Sequence, residues 1–245
     1  MITINFSLLD LEPGYRVLDA GCGTGRHLAE AARCRDLVAI GSDILYEDLV
    51  QARNRLNFHQ YVGETGGGPW SFLTADVTDL PYADESFDLV ICAEVLEHIP
   101  DHNKALAELV RVLKPGRNLV VSVPRFWPER LCWTLSRDYH RQNGGHVRIY
   151  QAGQLIRMAE KAGVIKWAAH FAHALHSPYW WLKCLVGPER EDCGPVNLYH
   201  QLLVWDMMKK PRITRLLERM LNPIIGKSLV LYFRKVGATL SGRPI

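Results

Sequence analysis

The chain has 245 residues and no C-x-x-C pair among its six cysteines, Cys22, Cys34, Cys92, Cys132, Cys184 and Cys193. That scatter argues against a disulfide framework or a cysteine zinc site and fits reduced thiols in a cytoplasmic protein. No apolar run approaches the roughly 18 residues of a membrane span. The start, Met1-Ile2-Thr3-Ile4-Asn5, lacks the basic region and long apolar core of a secretory leader. Charge of one sign is scarce: 29 Lys and Arg against 26 Asp and Glu leave a net charge of +3. So mild a surplus gives no reason to expect a nucleic-acid partner. No internal repeat or low-complexity segment breaks the chain. What remains is an ordinary globular balance, 48% hydrophobic and 22% charged, long enough for one domain over 1–245 with a large core.

Strand and helix patterns alternate. Strands are expected at Tyr15 to Ala20, Leu37 to Ser42, Trp70 to Ala75, Phe87 to Ala93, Asn118 to Val123, Val164 to Ala172 and Ser228 to Val236. Helices are expected at Arg26 to Cys34, Leu45 to Leu56, Asp101 to Val112 with Asp101 as N-cap, and Gln151 to Ala162. Lys114-Pro115-Gly116 should break the third of these. The alternation predicts an α/β, doubly wound sheet with helices on both faces. Two aromatic-rich stretches, 124–150 and 173–227, exceed that minimal unit.

The most informative stretch is Val17-Leu18-Asp19-Ala20-Gly21-Cys22-Gly23-Thr24-Gly25-Arg26-His27. A strand runs through an acidic residue into a glycine turn and then a helix, the layout of a nucleotide-type site at a strand end. A dinucleotide site usually reads G-x-G-x-x-G, and a P-loop needs a lysine after the turn; this turn has neither feature. Acidic residues recur at the next strand ends, with Asp43, Asp76 and Glu94.

The stretch resembles motif I of the class I S-adenosylmethionine (SAM)-dependent methyltransferases, which often reads V-L-D-x-G-C-G-T-G. The resemblance continues through Ala75-Asp76-Val77, Leu80 to Val90, Ala93-Glu94-Val95-Leu96-Glu97-His98-Ile99 and Leu113-Lys114-Pro115-Gly116. It is nearest the type 11-like, small-molecule branch that includes quinone-type C-methyltransferases. It implies a Rossmann-like seven-stranded sheet of order 3-2-1-4-5-7-6 with the last strand antiparallel. It also implies SAM as cofactor and S-adenosyl-L-homocysteine as product. By the same resemblance Gly21, Cys22, Gly23 and Gly25 lie along the methionine part of SAM. Asp19 holds loop amides and reaches the ammonium, while Asp43, with Ile44 beside it, accepts the ribose hydroxyls. Asp76 accepts the adenine amino hydrogen, Val77 packs on the ring, and Ala93 and Glu94 lie beside the sulfonium. An aspartate at a strand end also caps the helix that follows, and Glu97 and His98 can serve either role.

SAM carries an activated methyl group, so alignment is the main task, and a base is needed only if the acceptor loses a proton. The base candidates, His146, His140 and Tyr150, lie in 124–150; imidazole titrates near working pH. His170, His173 and His176 are spaced by three, but in a strand running into a loop the first two point to opposite faces. No carboxylate or cysteine is interleaved, so no metal is expected there.

Within 173–227, Pro178-Tyr179-Trp180-Trp181-Leu182-Lys183 concentrates aromatics, and Val196 to Met208 and Pro211 to Leu221 read as helices. The second carries arginines on one side and apolar residues opposite. Such a helix either packs on its own domain or lies on a membrane, so 196–221 is a candidate for peripheral membrane contact. An aromatic lid would close an apolar pocket, so the expected acceptor is a small, largely apolar molecule of isoprenoid, quinone-like or polyketide-like kind. A protein-modifying methyltransferase and a non-catalytic SAM-binding partner subunit remain as alternatives.

Overall fold

A computed structural model describes residues 1–139 and 145–237. Its sheet contains β1 (Arg16–Ala20), β2 (Val38–Asp43), β3 (Trp70–Thr74), β4 (Phe87–Ala93), β5 (Leu113–Pro124), β6 (Val164–Ala172) and β7 (Ser228–Lys235). The order is 3-2-1-4-5-7-6. The pairs from β3 across to β5 are parallel, and β7 runs antiparallel to both β5 and β6. Order and sense are those the resemblance implies.

Alternate residues of the central strands face opposite ways, which divides the core in two. Leu18, Val90 and Val121 pack with α3 (His102–Val112) and α5 (Ala152–Lys161). Val17, Leu89, Ile91 and Val120 pack with Ala31 of α1 (Arg26–Ala31) and with Ile4 and Leu9 of the N-terminal segment. α2 (Tyr46–Tyr61) adds Leu56 beside Ala39 of β2. β4 is buried on both faces, as its unbroken apolar run requires.

Several boundaries differ from expectation. α1 stops three residues before Cys34, and α2 runs five residues past Leu56. Asp101 caps α3 as expected, its carboxylate accepting from the Lys104 amide at 3.0 Å. α3 ends at Val112, as the break at Lys114-Pro115-Gly116 led one to expect, and that triplet itself lies at the start of β5. The strand bulges there: Phe87 pairs with Leu113 and Leu89 with Asn118, and Gly116 takes a φ of 75°. The two long segments hold helices that polar-apolar period does not reveal: α4 (Phe126–Leu135), and α6 (His176–Val186) in the aromatic stretch, which precedes α7 (Gly194–Lys209) and α8 (Arg212–Ile225).

Residues 3–5 strap one face of the sheet. The Thr3 amide donates to Nε2 of buried His27 on α1, and His170 Nε2 of β6 reaches the Thr3 carbonyl, both at 3.1 Å. His173 Nε2 lies 3.1 Å from Thr3 Oγ1, and the Asn5 amide donates to the Tyr232 hydroxyl at 2.8 Å. His170 and His173 therefore converge instead of pointing apart. His173 lies past the end of β6 with a φ of 65°, which ends the alternation of the strand.

α8 packs against the usual direction. Buried Thr214 and half-buried Glu218 and Asn222 face the protein, and the Asn222 side chain accepts from the Ala174 amide at 2.9 Å. Ile213, Leu216, Leu217, Met220 and Ile224 face outward, each 44% to 66% exposed.

Asp88 locks the lower edge of the sheet. It is 6% exposed and receives the Arg16 amide of β1 at 3.0 Å, the Lys114 ammonium of β5 at 2.8 Å and the Arg117 guanidinium at 3.4 Å. Burial alone would raise its pKa, but Lys114, the Arg16 amide and Arg117 outweigh it and hold the carboxyl below the usual range. A depressed folded value means the contribution is present above the unfolded pKa, near 3.9, and is lost as pH falls through the folded value. Asp88→Asn should therefore lower stability by about 2 kcal/mol at neutral pH. The gap to the parent should narrow below about pH 4. Urea unfolding of both proteins at the two pH values checks this.

Candidate functional site

The carboxyl ends of β1, β2 and β4 converge on the glycine turn. Gly21 and Cys22 amides both donate to the Ser42 carbonyl, at 2.7 and 2.9 Å. Gly21 has a φ of 72°, and a Cβ there would lie 2.4 Å from Val95 Cγ2, so only glycine lets the loop pass the segment after β4. Gly23 differs: a Cβ there would meet nothing within 4 Å, so its face of the turn is open. Asp43 clamps the loop, one oxygen accepting from the Gly23 amide at 2.8 Å and the other from Leu45 at 3.0 Å. Each oxygen keeps a second lone pair for a ribose hydroxyl. Ile44 beside it is 65% exposed.

Asp19 is 1% exposed, and its Oδ2 accepts from the Leu28 amide at 3.1 Å. Its Oδ1 is buried with no hydrogen-bond partner among the described residues. Burial pushes its pKa up to about 7, partly offset by the Leu28 amide and Arg26. A buried orphan carboxylate oxygen beside an open glycine turn fits the ammonium end of SAM. Cys22 is buried, and burial, then Asp19 and Asp43, raise its thiol, so it packs rather than reacts. Asp76 accepts from the Thr78 amide at 2.8 Å, forming the turn after β3, and Val77 is buried against the core.

The other half of the site is a carboxylate cluster. Glu94 follows β4 with a φ of 57°, and Ser122 Oγ of β5 donates to it at 2.9 Å. Burial raises its pKa, with Lys227 opposing. Glu97 is fully buried, and neither carboxylate oxygen has a hydrogen-bond partner among the described residues; His98 Nε2 lies 4.0 Å away. Burial, then Glu94, raise its pKa well above the usual carboxylate value. Glu129 of α4, 1% exposed, behaves oppositely. It meets His146 Nδ1 at 2.6 Å, Trp133 Nε1 at 3.2 Å, the Tyr139 hydroxyl at 3.4 Å and Lys227 Nζ at 3.6 Å. Burial would raise its pKa, but His146 and Lys227 outweigh it and keep Glu129 ionised. With Nδ1–H donating to Glu129, His146 presents Nε2 as an acceptor. Aromatic side chains wall this cluster: Tyr139 packs on Trp180 with centroids 5.7 Å apart, Trp127 on Trp181 at 5.5 Å, and Lys227 lies 5.3 Å from the Trp180 centroid.

Of the base candidates, the structure brings His146 to the cluster. His140 lies outside the described residues. Tyr150 is 1% exposed: its hydroxyl donates to the Leu96 carbonyl at 3.2 Å and meets His102 Nδ1 at 2.6 Å, and burial pushes its pKa up to about 12. Those two bonds tie it to the turn before α3 and to α3 itself. His173 and His176 are held neutral by burial, at about 3 and 4. Sequence reasoning missed Glu129 and Lys227. Glu129 carried one usable signal: with Cys132 it lies at i, i+3 on the buried face of α4. Lys227 carried none, since only the return from α8 into β7 places it.

A family model described as "Methyltransferase domain", of type 11, matches residues 18–121. The methyltransferase GfsG of Streptomyces halstedii is 35% identical over 117 residues, 48% of this chain and 40% of that protein. The O-methyltransferase rstn1 of Aspergillus nomiae is 37% identical over 109 residues, 44% of this chain and 46% of that protein. The chain thus spans less than half the length of either relative. The cyclase SpnF shares the fold at a TM-score of 0.60 and 22% identity, over 95% of this chain and 79% of its own. The matched motifs, the sheet order and the orphan Asp19 oxygen beside the glycine turn agree: residues 18–121 match the type 11 methyltransferase domain, and the chain is similar to the class I SAM-dependent methyltransferases.

Proposed function

We propose that this chain transfers the methyl group of SAM to an oxygen of a small, lipophilic acceptor. The observation that carries the reading is the Glu129–His146 pair, 2.6 Å apart, near the same carboxyl ends of the strands as the glycine turn. The fold alone does not suffice, because a cyclase shares it. When bound, SAM supplies an electrophilic methyl group. Asp19, the turn of Gly21 to Gly25, Asp43, Ile44, Asp76 and Val77 would hold it, with Ala93 and Glu94 at the reacting end. His146 Nε2 takes the proton of the acceptor hydroxyl as its oxygen attacks, and ionised Glu129 stabilises the imidazolium formed. Trp127, Tyr139, Trp180 and Trp181 exclude water and favour an apolar acceptor. The relative named as an O-methyltransferase supports oxygen as the acceptor atom.

The outward side of α7 and α8 supports peripheral membrane contact. Leu198, Leu202, Trp205 and Met208 of α7 are exposed alongside the apolar side of α8. Lys209, Lys210, Arg212 and Arg219 are exposed and have no ion pair among the described residues, whereas Asp206 and Glu218 pair inward with Arg215. An apolar surface rimmed by unpaired cations complements an anionic lipid leaflet. A second copy would instead bring like charges together across a two-fold axis. No helix among the described residues is long and apolar enough to cross a membrane.

Saturating SAM should raise the melting temperature by about 5–10 °C, the equivalent of ~2.7 kcal/mol at a hundredfold excess over Kd. NAD should give no shift, and Asp43→Ala should remove at least half of the SAM shift. With labelled SAM and fractionated cell extract, label should enter a lipid-soluble small-molecule fraction. Label in protein would favour the protein-modifying alternative, and SAM binding without any transfer would favour a non-catalytic subunit. His146→Ala should slow transfer by about a hundredfold or more while the SAM shift is retained. Vesicles containing phosphatidylserine should sediment the protein, phosphatidylcholine vesicles should not, and Leu216→Asp should abolish the difference.

A further inference from the structure

The inward side of α8 is polar, and it faces a cluster apart from the glycine turn. The ligand-type atoms of His173, His176 and Glu218 all lie within 4.8 Å of one another. They come from three places: just past the end of β6, the first turn of α6, and the middle of α8. His176 is 7% exposed, and its Nδ1 is buried with no hydrogen-bond partner among the described residues. A buried, unpaired ring nitrogen beside a second imidazole and a carboxylate calls for a ligand. Thr3 Oγ1, 3.1 Å from His173 Nε2, orients that ring from outside the cluster, as the outer partners of metal-binding histidines do. Arg215 takes Oε2 of Glu218 at 3.0 Å and also pairs with Asp206, which leaves Oε1 of Glu218 without an ion pair. All three residues line a cavity of about 850 Å³ that also borders Arg26 at the start of α1, so an ion has room to enter.

We propose that His173, His176 and Glu218 bind one divalent ion of the zinc class. Two imidazoles and one carboxylate suit zinc, cobalt and their neighbours better than calcium or magnesium, which prefer all-oxygen sites. Three protein ligands leave a position for water. The ion ties the end of β6 to α6 and α8, which explains why α8 turns its polar side inward. The proposal stands apart from methyl transfer. The other group of metal-type residues, Glu97, His98 and His146, belongs to the site already described, where His146 Nδ1 is committed to Glu129.

Titration of the metal-stripped full chain with cobalt(II), followed by its visible d–d absorption, tests this. The expected result is one cobalt per chain, displaced by zinc, with zinc also raising the melting temperature. His176→Ala and Glu218→Gln should each weaken cobalt binding by about tenfold or more. His146→Ala should leave it unchanged. A SAM-induced melting shift in each variant shows that it is folded. The absence of stoichiometric cobalt binding would overturn the proposal. So would binding that survives both variants, or that is lost only in His146→Ala.

Discussion

The Glu129 carboxylate is buried among four donors that come from separate parts of the chain: Trp133 on its own helix, Tyr139 after it, His146 before α5, and Lys227 at the entry to β7. Removing one of these donors leaves charge buried without compensation, which is more harmful than never having placed it there. The two segments that exceed the minimal alternation of strands and helices are therefore fastened to the sheet, and to each other, through one ionised group. The same fastening sets the tautomer of His146.

Three carboxyl groups at the same end of the sheet are held in different states by their surroundings. Asp19 has one amide and one orphan oxygen and titrates near neutrality, at about 7. Glu97 has no hydrogen-bond partner for its carboxylate among the described residues, and burial and Glu94 raise its pKa well above the usual value. Glu129, no less buried, is ionised because His146 and Lys227 face it. Burial alone predicts the same direction for all three, and the partners decide the outcome. Negative charge is thus concentrated on the imidazole side, and a cation is called for on the glycine-turn side.

The cofactor half was legible in the sequence because it is local. Asp19 through Gly25 is one strand–turn–helix, and Asp43 and Asp76 each mark the end of an apolar run. The strand order came only through family resemblance, since spacing says nothing about which strands pair. The acceptor half was illegible for a physical reason: Glu129, His146 and Lys227 are 17 and 81 residues apart in turn and meet only after two helical segments fold back. α6 escaped notice because aromatics at nearly every position erase the period that marks a helix. His140 lies beyond the described residues. The convergence of His170 and His173 depended on a single left-handed residue at the strand end, which strand alternation does not anticipate.

The register between the last two strands has a consequence for how such a chain diversifies. Ala172, where β6 ends, sits directly opposite Ser228, where β7 begins. The long excursion of α6, α7 and α8 therefore leaves and re-enters the sheet at adjacent points. Its length and content can change while the ladder on either side stays in step, because loop closure depends only weakly on length. The excursion has the form of an exchangeable cassette: a recombined copy could carry a different pocket wall, ion site and outer surface on an unaltered nucleotide-binding frame.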